Sequence, residues 1–174
     1  RRPAVTVPFS LHGRTALVTG ARTGLGRAIA VALAEAGADL VLHGHTDDLD
    51  DTEREVRATG RTATRWVLDL ADTVAIPGAA AGLPPIDILV NNAGIIRREP
   101  AAGHSFDDWR AVLDVNLDAV FLLSRAVGEG MLARRHGKII SVASMLSFQG
   151  GVRVPGYTAS KHGVAGLTKA LACE

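Results

Sequence analysis

The chain is poor in the residues that would place it in several common classes. It has one cysteine, Cys173, so an intrachain disulfide framework and a thiolate metal site are excluded within these residues. Its six histidines show no pair at metal-ligand spacing on one helix. His43 and His45 lie two apart in a strand-like run but lack a third ligand, so no metal is expected. Charge is nearly balanced: 19 Lys and Arg against 18 Asp and Glu leave +1. Such a surface offers nothing to nucleic acid or to an anionic membrane. No apolar run is long enough to span a bilayer. The start, Arg1-Arg2-Pro3, lacks the apolar stretch of a secretory signal. The cytoplasm is the expected compartment. Aromatic residues make up only 4%, while Ala and Gly are plentiful, which suits close packing of helices on a sheet.

What is present reads as one domain over residues 1–174, with 47% hydrophobic and 21% charged residues. After an irregular entry over 1–13, short apolar runs at 15–19, 39–43, 63–68, 86–90 and 138–142 read as buried strands. Helical patterns fall between them at 25–36, 47–59, 72–81 and 106–134, and a last one follows at 156–172. Gly37 and Gly60 close the first two helices. Ser105 with Asp108 resembles a capping box opening the long helix. The acidic run 47–51 reads as a solvated helix start favoured by the helix dipole. Strand and helix alternate throughout, which predicts a doubly wound, three-layer α/β/α fold of Rossmann type. Its ligand crevice lies at the carboxyl ends of the strands.

Two motifs at such ends carry chemistry. Thr19-Gly20-Ala21-Arg22-Thr23-Gly24-Leu25-Gly26 joins the first strand to the first helix. Gly20 permits the tight turn, Gly24 lets the backbone approach a pyrophosphate at the helix N-terminus, and Gly26 allows close helix–strand packing. Further on, Tyr157 and Lys161 stand four apart in one helix and therefore share a face. An ammonium roughly 4 Å from a phenol favours its ionised form by about 4 kcal/mol at an effective dielectric near 20. That is the order needed to make a phenol useful as an acid–base group. Ser144 lies upstream, at the end of the fifth strand-like run.

Together with Asn91-Asn92-Ala93-Gly94 and Asn116, these motifs resemble the short-chain dehydrogenase/reductase family, over essentially Leu11 to Glu174. Each motif alone is moderately specific; five in order at the right spacing are very specific. The resemblance implies that Tyr157 transfers the proton and Ser144 hydrogen-bonds the substrate oxygen. It implies that Lys161 assists Tyr157 and binds the nicotinamide ribose, and that Asn116 holds a water in a proton relay. For the cofactor it implies contacts from Gly20, Arg22, Thr23, Gly24, Leu25 and Gly26, from His45, from Asp69 and Leu70 near the adenine, from Asn92, Ala93 and Gly94, and from Tyr157 and Lys161. The second strand ends at Gly44-His45, without the carboxylate that NAD users of the family place there. His45 is not the usual arginine of NADP users, and Arg22 is off the usual basic position. The overall resemblance leans toward NAD, with NADP left open.

The stretches 91–98 and 144–155 are similar to the sugar-acid branch of the family, whose substrates are of the 2-deoxygluconate and 2-dehydro-3-deoxygluconate type. A guanidinium matches a carboxylate bidentately, which makes Arg97, Arg98 and Arg153 candidate carboxylate ligands. Gln149 or Ser147 suits sugar hydroxyls. The alternatives are a 3-oxoacyl thioester reductase of the same family and a dinucleotide-binding fragment without catalysis. The family also implies a homotetramer or homodimer through helices 106–134 and 156–172. His162 and Cys173 are expected to be peripheral, Cys173 buried or half-exposed. Family domains are longer, with a sixth and a seventh strand and a segment that closes over substrate. The expectation is that further residues belong to the molecule, because the fifth strand is otherwise an exposed sheet edge.

Overall fold

A computed structural model describes residues 9–174. Part of the irregular entry, including Pro3 and Pro8, lies outside the described residues. The strands are β1 (Thr15–Val18), β2 (Asp39–Gly44), β3 (Ala63–Val67), β4 (Ile88–Asn91) and β5 (Lys138–Ser141). The helices are α1 (Gly24–Glu35), α2 (Asp50–Ala58), α3 (Ala75–Ala81), α4 (Phe106–Leu113), α5 (Ala119–Arg134) and α6 (Pro155–Leu171). All five strands are parallel, in the order β3-β2-β1-β4-β5. This is the expected Rossmann-like doubly wound sheet, with the chain reversing direction across it between β1 and β4.

Successive strand residues point to opposite faces, and the sequence is apolar on both. Ala16, Val18, Leu40, Leu42, Ile88 and Val90 face one core, which also holds Ala30 and Ala34 of α1 and Val56 of α2. Leu17, Val41 and Leu89 face the other, which also holds Ile76 of α3 and Leu123, Val127 and Met131 of α5. Gly26, Ala30 and Ala34 recur every four residues and are the buried positions of α1. Their small side chains let that helix sit close to the sheet.

Three sequence expectations need correction. The expected helix over 106–134 is divided by a π-helical turn at Asp114–Asp118. The wider turn carries buried Val115 and Asn116, and such turns commonly sit at functional positions. The acidic run at 47–51 is more than a solvated helix start. Arg65 on β3 pairs with Asp47, Asp50 and Glu53, and Arg27 on α1 pairs with Asp51 and Glu55. These cations tie the first turns of α2 to β3 and α1. Cys173 is exposed. As expected, β5 is a sheet edge, with Ile140 half exposed. Beside it, between α3, α5 and the end of α6, runs a groove of about 1250 Å³.

Candidate active site

The groove beside β5 is not where the chemistry-bearing residues gather. They meet at the carboxyl ends of β1, β2, β4 and β5.

At the end of β1 the backbone must turn sharply. Gly20 takes φ +64°, and a Cβ there would press on Ala93 Cα at 3.0 Å. A Cβ on Gly26 would run into the Gly20 carbonyl, so both positions demand glycine. Gly24 opens α1 with φ +59° and open space where a side chain would stand. That helix has no side-chain cap and no acidic residue in its first turn. Its first amides are thus left for an anion, and the cradle fits the pyrophosphate of a dinucleotide.

The turn is held from three sides. Thr19 Oγ1 donates to the Val90 carbonyl at 3.3 Å and accepts from the amides of Asn92 (2.9 Å) and Ala93 (3.0 Å). Asn92 Nδ2 donates back to the carbonyls of Thr19 (2.9 Å) and Gly20 (3.3 Å). Buried Thr52 of α2 donates to the Ala21 carbonyl at 2.8 Å. From β2, His43 accepts the Gly20 amide on Nδ1 at 3.1 Å. Sequence reasoning missed Thr19 as a hub and weighed His43 only as a metal ligand. A threonine at a strand end and a histidine one residue before the strand's last were the available signals.

Other expected cofactor residues are placed unevenly. Arg22, Thr23, Leu25 and His45 are exposed around the turn. Arg22 pairs with Asp48 at 3.0 Å. Asp69 is exposed and its carboxylate accepts the Ala71 amide at 3.0 Å. The Leu70 side chain is buried in the core with Leu17 and Val41. Only its main chain is left to face a ligand. Gly94 is exposed, with Asn116 Oδ1 3.3 Å from where a Cβ would stand.

At the ends of β4 and β5 stand the other expected residues. Lys161 is 5% exposed, and its Nζ donates to the Val142 carbonyl at 2.7 Å. Burial pushes its pKa below the usual lysine value. The same ammonium lies 5.8 Å from the centre of the Tyr157 ring. The four-residue spacing therefore brings the pair together, with the ammonium anchored on β5's continuation. Ser144 caps the short 3₁₀ turn Met145–Ser147: its Oγ accepts the Leu146 amide at 3.1 Å, and Ser147 Oγ accepts the Ser144 amide at 3.2 Å. The Ser144 hydroxyl proton remains to be donated.

Asn116 is fully buried. Its Oδ1 accepts the Ile95 amide at 2.8 Å, and its Nδ2 donates to the Ile95 carbonyl at 2.9 Å and to Ser160 Oγ at 3.2 Å. Both amide protons are used, so a relay water could only donate to the remaining Oδ1 lone pair or meet the main chain. The side chain pins the segment after β4 to α6.

The expected substrate residues lie on a looser rim. Arg97 pairs with Asp108 at 3.2 Å, while Arg98 and Gln149 are exposed. Arg153 is exposed at φ +61°, a left-handed conformation costly for a residue with a Cβ. Its carbonyl accepts the Glu99 amide at 2.9 Å, joining the loop after β4 to the loop before α6. Ser147 is buried in the 3₁₀ turn. Met145, Phe148 and Val152 are exposed apolar residues on the same rim. Among the described residues no metal-ligating cluster exists, and no helix is long and apolar enough to cross a membrane. His162 is exposed.

Comparison with known proteins agrees with this geometry. The chain is 54% identical over 169 residues to the 2-dehydro-3-deoxy-D-gluconate 5-dehydrogenase of Bacillus subtilis, covering 95% of this chain and 66% of that relative. It thus spans about two thirds of the relative's length. A candidate NAD(P)-dependent gluconate 5-dehydrogenase from Beutenbergia cavernae, with NADP bound at low occupancy, superposes with a TM-score of 0.89 at 52% identity. That match covers 95% of this chain and 68% of the other. A gluconate 5-dehydrogenase from Burkholderia cenocepacia, solved with NADP and tartrate, gives a TM-score of 0.87 at 40% identity, over 95% of this chain and 67% of the other. The family model for short chain dehydrogenases matches residues 14–174, and the chain belongs to that family.

Proposed function

We propose that the chain carries the reversible oxidation of a secondary alcohol on a small sugar acid, with a nicotinamide dinucleotide as hydride partner. The observation that supports it best is the buried Lys161 ammonium, fixed on the Val142 carbonyl and beside the Tyr157 ring. When bound, the nicotinamide supplies the hydride acceptor or donor. In the oxidation direction the Tyr157 oxygen takes the alcohol proton as the carbon gives up its hydride. Ser144 donates its hydroxyl proton to the same substrate oxygen and holds it in line. Lys161 holds positive charge beside the Tyr157 ring, which favours the ionised Tyr157 oxygen, and would bind the ribose of the cofactor. Asn116 keeps the Ile95 segment and α6 in register around that centre.

The substrate class follows the relatives, which are dehydrogenases of 2-dehydro-3-deoxygluconate and gluconate. Arg153 supports it: a guanidinium held on a left-handed backbone at the rim suits a substrate carboxylate. Arg97 joins it by exchanging Asp108 for the carboxylate. NADP is the proposed cofactor. The lean toward NAD rested on overall resemblance, and the two related structures carry NADP. A Cβ at Gly44 would lie 2.7 Å from the Thr46 carbonyl, which disfavours any carboxylate at that strand end. Arg22, paired with exposed Asp48, supplies the charge for a 2′-phosphate.

Steady-state rates decide the matter, measured with NAD and NADP on 2-dehydro-3-deoxygluconate, 2-deoxygluconate, gluconate and an acetoacetyl thioester. Turnover of a sugar acid with NADP is expected. A preference for the thioester would replace this reading with a thioester reductase. Cofactor binding without turnover of any of them would reduce it to a binding module.

A further inference from the structure

Among the described residues, His43 is the one buried titratable group at the crevice that the proposed chemistry does not use. It is 2% exposed, near the end of β2, and sits between the two turns that flank the adenosine side. On one side its Nδ1 is 3.1 Å from the Gly20 amide, and its carbonyl accepts the Ala21 amide at 2.8 Å. On the other side its Nε2 is 3.0 Å from the Leu68 carbonyl, directly before Asp69. The Leu68 amide in turn donates to the Gly44 carbonyl at 3.1 Å. The ring lies against Trp66 of β3, with centroids 5.2 Å apart.

The partners fix the tautomer. The Gly20 amide can only donate, so Nδ1 must accept. The Leu68 carbonyl can only accept, so Nε2 must carry the proton. Only a neutral imidazole with its proton on Nε2 satisfies both ends. An apolar residue of similar bulk, ordinary at a buried strand position, would strand a glycine-turn amide and a carbonyl.

We infer that His43 is a positioning residue for cofactor binding, a strut that sets the glycine turn and the Leu68–Asp69 turn at the separation a dinucleotide requires. The inference rests on the dinucleotide reading above. It assigns His43 no contact with substrate and no part in proton transfer. Its removal should therefore weaken the cofactor alone.

The test compares wild type, His43→Leu and His43→Asn. Asn places an acceptor oxygen close to where Nδ1 stands, and so restores the Gly20 contact but not the Leu68 contact. NADPH dissociation constants from fluorescence should rise about tenfold for His43→Leu, which loses both hydrogen bonds at once. His43→Asn should recover most of that loss. At saturating NADPH, kcat and the KM for the sugar acid should stay within about twofold of wild type, since none of the lost contacts touches that end. Nitrogen NMR of the wild-type imidazole at pH 7.5 should show the proton on Nε2, a readout independent of activity. Unchanged NADPH affinity in both variants would overturn the inference. So would a proton on Nδ1, or an equal loss in kcat and both KM values. If His43→Leu does not fold, His43→Ala, which also loses both contacts, takes its place: it should bind NADPH more weakly than His43→Asn, and equal affinity in the two would overturn the inference. Wild type that binds no nicotinamide dinucleotide would instead sink the functional reading.

Discussion

The two ends of the crevice are built differently. Around the glycine turn, Thr19, His43, Thr52 and Asn92 join β1, β2, β4 and α2 by eight hydrogen bonds from largely enclosed side chains. On the substrate rim, Arg97 has one exposed ion pair, and Arg98, Phe148, Gln149 and Val152 stand in solvent. On the proposed reading the difference follows from the ligands. A dinucleotide is one shape recognised by backbone amides, which works only if the backbone is pinned in advance. A rim proposed to select among sugar acids would act through its exposed side chains. Between the two ends lies the Lys161–Asn116–Ser160 region, buried and hydrogen-bonded like the first.

The largest expected effect tests that middle ground. Tyr157→Phe removes the hydroxyl that exchanges the proton while keeping the ring beside Lys161. Its kcat should fall about 10²- to 10⁴-fold, the usual worth of a positioned acid–base group. NADPH affinity should stay close to wild type, because the pinned turn is untouched. Near-normal turnover would remove Tyr157 from the reaction.

Next comes the rigid end. Thr19→Val keeps the shape of the side chain but withdraws the oxygen that accepts the Asn92 and Ala93 amides. Each amide left unpaired costs about 1–3 kcal/mol. The urea midpoint should drop and NADPH binding weaken together, while kcat at saturating cofactor recovers. A midpoint equal to wild type would mean that the turn is held without Thr19, and the contrast between the two ends would weaken.

The rim should respond in the opposite sense. Arg153→Ala is expected to raise the sugar-acid KM about tenfold, as for a lost charged hydrogen bond of about 1.5–3 kcal/mol offset by solvent exposure. Stability should not fall, since the change removes no ion pair and leaves the backbone bond to Glu99. Arg153→Gly should gain stability, because glycine adopts the left-handed φ without strain. If Arg153→Ala leaves KM unchanged, the carboxylate contact belongs to another residue, with Arg97→Ala the next variant to measure.

How much of this was legible follows the same division. Strand–helix alternation exposed the parallel sheet, because the central strands β1, β2 and β4 are apolar on both faces. The glycine turn and the Tyr157–Lys161 spacing were legible because backbone geometry itself demands those residues at those intervals. The π turn was not, because Asp114–Asp118 has the same amphipathic pattern as the helices on either side. Asn116 could be named from the resemblance, but its grip on both the amide and carbonyl of Ile95 joins residues 21 apart in sequence. The partners of Arg65 were hidden for the same reason: a charged run looks solvated until a strand brings a cation to it. The burial of the Leu70 side chain was not legible, because a residue beside the exposed Asp69 turns back into the core.

His43 separates the two ends in a last, smaller way, through pH. Burial lowers its pKa below 6.5; its hydrogen bond to Leu68 and the charge of Asp69 oppose that shift, while His45 adds to it. Between the unfolded value and this lower folded value, the unfolded chain binds the proton first. Stability contributed by the neutral ring is therefore full above pH 6.5 and is lost as the pH falls toward the folded pKa. A strut that cannot titrate should lack this decline. Urea midpoints followed downward from pH 7.5 should fall further for wild type than for His43→Asn, by less than the loss from Thr19→Val at neutral pH. Hydrogen exchange should report the acid-induced opening at the Gly20 amide and not along the rim at 148–153. Parallel midpoints in the two proteins would mean that the imidazole stays paired whatever its charge, and that the rigid end owes its pH response to other groups.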